Sequence, residues 1–234
     1  MVEGFDNDLI VLEKTETKLN NTVQLLTNHS TFQPFNHSTV LIIGVFHGDE
    51  PQGKYLIEKY LSQKIYPPLD GNNNLIFIPC LNPDGMQNNI RTNANSVDLN
   101  RNFPTKNWGQ DGSEAGENPK DYYGGKTPAS EIETQFVINI IKKYQPNLIL
   151  TLHAPYKIVN YDGPAKNIAQ KISKIINYPV EPSIGYPTPG SFGTYCGVEQ
   201  NIPTITLELD EEIPVGQLEQ PVFEIFNNLN NIYF

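Results

Sequence analysis

The stretch His47-Gly48-Asp49-Glu50 holds an imidazole and a carboxylate close enough along the chain to face one point. Both groups are zinc donors. The apolar run Val40 to Ile43 just before them reads as a buried strand. Pro51, which follows, suits a first helical position, and Gln52 to Ser62 continues with helical spacing. The pair therefore sits where a strand hands over to a helix, and Gly44 and Gly48 are expected to let the backbone bend around it. Alone, the pattern more often marks a surface histidine beside a capping acid. A catalytic zinc normally takes three protein ligands, and His153, at the end of the apolar run Leu148 to Leu152, offers the third. Two of the four histidines thus fall at strand ends. In Ile205-Thr206-Leu207-Glu208-Leu209, Glu208 points away from the apolar face. It is either part of a solvated strand face or a general base for a hydrolytic water. Arg91 and Arg101 read as ordinary surface charge, or as partners for a carboxylate or a developing oxyanion.

The elements that must position these groups alternate between strand and helix. Strands are expected over Val40 to Phe46, Leu75 to Cys80, Leu148 to Leu152 and Pro203 to Leu209, with shorter ones at Leu9 to Leu12 and Thr22 to Leu26. A helix should end before Tyr66-Pro67-Pro68. Another should start with Thr127 as its cap and Pro128 first, presenting Ile132, Phe136, Val137, Ile140 and Ile141 on one face. Helices are also expected over Pro164 to Ile176 and within Val215 to Tyr233, the latter disturbed at Pro221. Asn82-Pro83-Asp84-Gly85 signals a turn, and Gly185 to Gly197 reads as loop. The long aperiodic stretch up to Thr127 is expected to be functional. This pattern predicts an α/β fold with a largely parallel sheet, whose ligands gather at the carboxyl ends of the strands. No linker or repeat divides the sequence, so one domain over residues 1–234 is expected, with 1–39 as strands and turns packed on it.

Composition removes other classes. The net charge of −10 leaves no basic footprint for nucleic acid and disfavours an anionic membrane surface. No apolar run approaches membrane-spanning length. Cys80 and Cys196 form neither a metal knuckle nor a disulfide framework. Met1 to Asp6 lacks the basic and apolar regions of a secretory signal, so a cytoplasmic setting is expected. His29 and His37 lie in polar surroundings and read as surface residues.

Taken in order, His47-x-x-Glu50, Arg91, Asn100-Arg101, His153 and Glu208 resemble the zinc carboxypeptidases related to carboxypeptidase A. The resemblance covers most of the chain after residue 40 and implies a mixed sheet of about eight strands between helices. It implies one zinc held by His47, Glu50 and His153, with Glu208 as general base. It further implies that Arg91 polarises the scissile carbonyl, and that Asn100 and Arg101 hold the substrate's terminal carboxylate. A mobile tyrosine closes over substrate in that family, and Tyr186 matches it better than Tyr195. Within the family, Arg91 to Pro104 and Gly185 to Tyr195, with His153-Ala154-Pro155, resemble the bacterial murein peptide amidases. That likeness implies a cytoplasmic enzyme cutting the γ-D-glutamyl–meso-diaminopimelate bond of small peptides with a free carboxylate. A general carboxypeptidase and an N-acyl amino acid deacylase are the alternatives, and a catalytically dead binder has no use for Glu208. A diaminopimelate side chain ends in an ammonium and a carboxylate, so its pocket needs both an acceptor and a donor.

Overall fold

A computed structural model describes residues 9–27, 38–63, 73–109 and 119–233. His29, His37 and Tyr66-Pro67-Pro68 lie outside them. Strands β1 (Ile10–Glu16), β2 (Thr22–Thr27), β3 (Ser38–Gly44), β4 (Asn73–Ile78), β5 (Leu148–His153), β6 (Ile158–Asp162), β7 (Val180–Glu181) and β8 (Thr204–Glu208) form one mixed sheet in the order β1-β2-β4-β3-β5-β8-β6-β7. Neighbours β4, β3, β5 and β8 run parallel. Both flanks are antiparallel to that centre, through β2 on β4 and β6 on β8. The helices are α1 (Gln52–Leu61), α2 (Pro83–Asn88), α3 (Ile132–Tyr144), α4 (Lys166–Ile176) and α5 (Glu219–Tyr233). Among the described residues no helix is long and apolar enough to cross a membrane.

The central strands are apolar on both faces because helices cover both. On one side Val40 and Ile42 of β3, Leu148, Leu150 and Leu152 of β5, and Ile205 and Leu207 of β8 pack with α1, α4 and α5. On the other, Leu41, Ile43, Ile76, Ile78 and Ile149 pack against Phe136, Val137, Ile140 and Ile141 of α3. Each such side chain contributes about 1.5–3 kcal/mol by leaving water. This second face changes character across the sheet. In register beyond Leu41 and Ile43 come Ile149 and Thr151 of β5, then Thr204 and Thr206 of β8, then Asp162 and Asn160 of β6. His153 and Glu208 are paired one step further along β5 and β8. The face that is dry core under α3 thus becomes a polar floor, and the strand ends of β3, β5 and β8 open onto it.

Several expectations need correction. Thr127 caps no helix. Asn102 accepts a hydrogen bond from Ala129 N at 2.6 Å through its carbonyl and one from Glu131 N at 3.2 Å through Oδ1. These bonds hold Thr127 to Ser130 in a turn, with Ala129 at φ +53°, and α3 starts at Ile132. Asn82-Pro83-Asp84-Gly85 is the start of α2, with the Asn82 side chain accepting from Gly85 N at 2.9 Å as its cap. The Gly185 to Gly197 segment is irregular only at first, because Thr194–Glu199 forms a π-helix. Pro221 sits in the first turn of α5, which follows a 3-10 turn at Val215–Leu218 and tolerates it.

Candidate active site

The turn carrying His47 is fixed from below. Leu81 N donates to Gly44 O at 3.0 Å and Asn82 N to Val45 O at 2.9 Å, and Asn82 Nδ2 reaches Phe46 O at 3.3 Å. The bend itself falls at Val45, a buried β-branched residue at φ +56°. Such a conformation costs of order 1–3 kcal/mol and persists only where its surroundings impose it. Gly44 and Gly48 therefore serve close approach, not bending. A Cβ on Gly44 would stand 2.6 Å from Pro79 O, and one on Gly48 only 2.0 Å from the Gly85 carbonyl carbon.

All eight residues singled out in the sequence line one cleft of about 310 Å³: His47, Glu50, Arg91, Asn100, Arg101, His153, Tyr186 and Glu208. One donor atom from each of His47, Glu50 and His153 lies within 4.8 Å of the others, and all three residues are buried. Glu50 bridges the pair, with Oε1 2.7 Å from His47 Nδ1 and Oε2 3.0 Å from His153 Nδ1. Burial opposes charge on Glu50, but the two imidazoles hold its carboxyl well below the usual carboxylate range. Burial likewise opposes charge on His47, yet the neighbouring Glu50 carboxylate, with help from Asp98, raises it to about 9. Two imidazole nitrogens and one carboxylate oxygen, buried and convergent, match the donor set that a catalytic zinc takes from a protein.

Asp98 is a site residue that reading the sequence missed. Fully buried, it lies 3.2 Å from His47 Nε2 through Oδ1, which also accepts from Asn100 N at 2.8 Å. Its Oδ2 accepts from Arg91 Nε at 3.1 Å and Nη2 at 3.0 Å. Burial opposes its charge, but Arg91 and His47 keep Asp98 ionised well below the ordinary range. It thus fixes an imidazole and a guanidinium together, and Arg91 Nη1 is left 3.7 Å from Glu50 Oε1. The only signal in the sequence was its place directly before Leu99-Asn100-Arg101, where it caps a short 3-10 turn. Tyr122 was also missed. Its ring lies 4.9 Å from the Arg91 guanidinium carbon, 5.6 Å from that of Arg101, and edge-on to Tyr186 at 6.5 Å. Tyr186 therefore belongs to the cleft. Tyr195 packs instead against Phe103, at 5.5 Å between rings.

Two buried polar atoms of the cleft have no hydrogen-bond partner among the described residues, Arg101 Nη2 and Glu208 Oε2. Burial pushes the Glu208 carboxyl up, an effect that His153 partly opposes. Asn100 Oδ1 accepts from Phe192 N at 2.9 Å, which turns its amide nitrogen away from that backbone.

The sequence profile of the zinc carboxypeptidases matches residues 14–166. The chain belongs to the zinc carboxypeptidase family. It is 34% identical to murein peptide amidase A of Escherichia coli K12 over 174 residues, which is 72% of this chain and 69% of that protein. It is 38% identical to murein peptide amidase A of Vibrio campbellii over 136 residues, 55% of this chain and 54% of the relative. The crystal structure of murein-tripeptide amidase from Escherichia coli O157 superposes with a TM-score of 0.78 at 26% identity, covering 99% of this chain and 94% of that one. Carboxypeptidase A from Helicoverpa armigera shares the fold, with a TM-score of 0.77 at 20% identity over 98% of this chain and 68% of that one. The family's mixed sheet of eight strands is the one found here. This family member is a zinc metallopeptidase acting on peptide substrates, and its His47, Glu50 and His153 donors fit the ion.

Proposed function

We propose that the chain hydrolyses the γ-D-glutamyl–meso-diaminopimelate bond of small murein peptides, releasing meso-diaminopimelate from L-Ala-γ-D-Glu-meso-diaminopimelate. His47, Glu50 and His153 would hold the zinc, with Asp98 orienting His47. A bound zinc ion would polarise the scissile carbonyl and bring the pKa of a water near neutrality. Glu208 takes the proton of the attacking water at Oε2 and hands it to the departing amine. Arg91, fixed by Asp98, directs Nη1 at the carbonyl oxygen as negative charge develops there. Arg101 and Asn100 hold the terminal carboxylate, and Tyr186 closes over the bound peptide from its loop.

The observation that carries this reading is the pair of buried atoms without a partner among the described residues, Arg101 Nη2 and Glu208 Oε2, in the cleft of the three donors. A buried donor or acceptor left unmade costs about 1–3 kcal/mol. A terminal carboxylate satisfies the first and a water proton the second, so the cleft is complete only with a peptide end and a water in it. The likeness to the murein peptide amidases supports the choice of peptide. Cys80 and Cys196, both free thiols, accord with action in the cytoplasm.

Zinc-loaded enzyme incubated with the murein tripeptide should give free meso-diaminopimelate and L-Ala-D-Glu by mass spectrometry. An ordinary dipeptide should have the lower specificity constant. If the ordinary dipeptide is the better substrate, the chain is a general carboxypeptidase and the murein assignment falls.

A further inference from the structure

The chain has only two arginines, Arg91 and Arg101, and both stand over one aromatic ring. Their guanidinium carbons lie 4.9 and 5.6 Å from the centre of the Tyr122 ring. Their other supports differ. Arg91 is held by Asp98, through Nε at 3.1 Å and Nη2 at 3.0 Å. Arg101, only 4% exposed, donates through Nη1 to Asn100 O at 2.8 Å, an acceptor on its own neighbour's backbone. Among the described residues its buried Nη2 has no hydrogen-bond partner and no carboxylate forms an ion pair with it. An arginine side chain carries much rotamer freedom, so this guanidinium needs a further restraint.

The Tyr122 ring supplies that restraint in a way a carboxylate could not. The negative face of the ring attracts a guanidinium and its flat surface stacks on one, yet it takes none of the N–H donors. A carboxylate in the same place would fix Arg101 by occupying the donors that an incoming carboxylate needs. The ring is itself placed by backbone. Tyr123 O accepts from Asp98 N at 2.8 Å, and Gly124 O accepts from Asn102 Nδ2 at 2.8 Å and from Trp108 Nε1 at 3.2 Å. A Cβ on Gly124 would fall 2.6 Å from Arg101 O, so glycine is what lets the two segments lie this close. None of these bonds uses the Tyr122 side chain, so the turn that carries the ring does not depend on it. We propose that Tyr122 is a positioning residue that holds the Arg101 guanidinium in place while leaving its donors free for substrate. The consequence for substrate rests on the proposed reading of Arg101 as partner of the terminal carboxylate. Arg91 meets the same ring but has Asp98 as well, so loss of the ring falls mainly on Arg101, and on binding more than on turnover.

The test compares zinc-loaded wild type, Tyr122→Leu and Tyr122→Phe on the murein tripeptide and on its C-terminal amide. Tyr122→Leu should raise KM for the free peptide about five- to thirtyfold, the worth of a partly desolvated cation–π contact, with a much smaller fall in kcat. It should shrink the penalty for amidation by a similar factor. Tyr122→Phe keeps the ring and should recover most of the loss. Equal losses in the two variants, a loss confined to kcat, or a KM in Tyr122→Leu within about twofold of wild type would overturn the assignment. A second measurement does not depend on catalysis. Two arginines give two Nε–H signals in the NMR spectrum of the nitrogen-labelled protein, assigned through Arg91→Lys and Arg101→Lys. The Tyr122 ring current should displace the Arg101 signal in wild type and in Tyr122→Phe, and Tyr122→Leu should return it, with zinc content and melting kept. An Arg101 signal unmoved by Tyr122→Leu refutes the proposal. If that signal moves but wild type is indifferent to amidation, Tyr122 holds Arg101 as proposed, and the reading of Arg101 as the carboxylate's partner fails instead.

Discussion

Replacing Asp98 by Asn should loosen zinc by about ten- to a hundredfold while leaving the fold intact. Asp98 receives four donors on two oxygens, His47 Nε2 and Asn100 N on Oδ1 and the Arg91 fork on Oδ2. An asparagine amide can supply only one of those oxygens. With its oxygen toward His47, its NH2 opposes the Arg91 fork. Arg91 then turns to the nearest remaining carboxylate, Glu50, already 3.7 Å from Nη1, and draws it off the ion. With its oxygen toward Arg91, the NH2 donates to His47 Nε2. That bond forces the imidazole proton onto Nδ1, the nitrogen facing Glu50, and removes the lone pair a ligand needs. Either orientation forfeits two of the four hydrogen bonds, of which the part that reaches the ligand set, about one charge-assisted hydrogen bond or about 1.5–3 kcal/mol, converts to the stated range at about 1.4 kcal/mol per decade. Loss of outer-shell partners elsewhere has a similar effect on metal affinity. Competition for zinc against a chromophoric chelator reads the change directly. Melting of the metal-free and zinc-loaded forms checks that the zinc-dependent increment shrinks more than the metal-free stability does. Zinc affinity within about twofold of wild type would refute the argument that Asp98 acts through His47 and Arg91.

Glu208→Gln should keep zinc and lower kcat by about two to four orders of magnitude with little change in KM, because a base acts in the transition state; steady-state kinetics decide it. Arg101→Lys should raise KM for peptides with a free C-terminus, since an ammonium cannot reproduce the guanidinium fork. Amidating that C-terminus should weaken binding to wild type and change Arg101→Ala little, and equal losses in both would assign the carboxylate elsewhere. Glu133, buried on α3, has its carboxyl raised to about 7 by burial, against 4.5 when unfolded. Its neutral form is the one the fold favours, so its stability contribution is complete below pH 4.5 and lost as pH rises through 7. Glu133→Gln should therefore be more stable than wild type at pH 8 by up to about 3 kcal/mol and nearly equal at pH 4, as chemical denaturation at the two pH values would show.

The site was legible where local pattern and chemistry coincide. His47, His153 and Glu208 stand at the ends of apolar runs long enough to identify β3, β5 and β8, and the parallel register of those strands brings them together. Where tertiary contacts set the local conformation, the pattern misled. The bend at Val45 is imposed by bonds from Leu81 and Asn82, so a reader of propensities assigns it to the adjacent glycines. Thr127-Pro128 is a good helix start on paper, but Asn102 takes the amide hydrogen bonds of Ala129 and Glu131. Strand β6 escapes the pattern because its floor residues, Asn160 and Asp162, are polar where a buried strand is expected to be apolar.

That last omission has a physical cause that bears on function. A strand in the middle of a dry sheet announces itself by a continuous apolar run, whereas one that floors a cleft must expose polar groups on the face its neighbours bury. Thr204, Thr206 and Glu208 on β8 make the same substitution, yet Ile205, Leu207 and Leu209 on the reverse kept that strand readable. On β6 the reverse face has only Val159 fully buried, with Tyr161 half covered, so nothing compensates. The residues that make β6 hard to recognise as a strand, Asn160 and Asp162, are therefore the ones it contributes to the polar floor beside Glu208. In this fold the groups that gather in the cleft stand at strand ends, where apolar runs stop and leave a signature, while the polar floor lies along a strand face, where the signature is diluted. Asp162 is visible only once the register with Thr204 sets it on the same floor as Glu208.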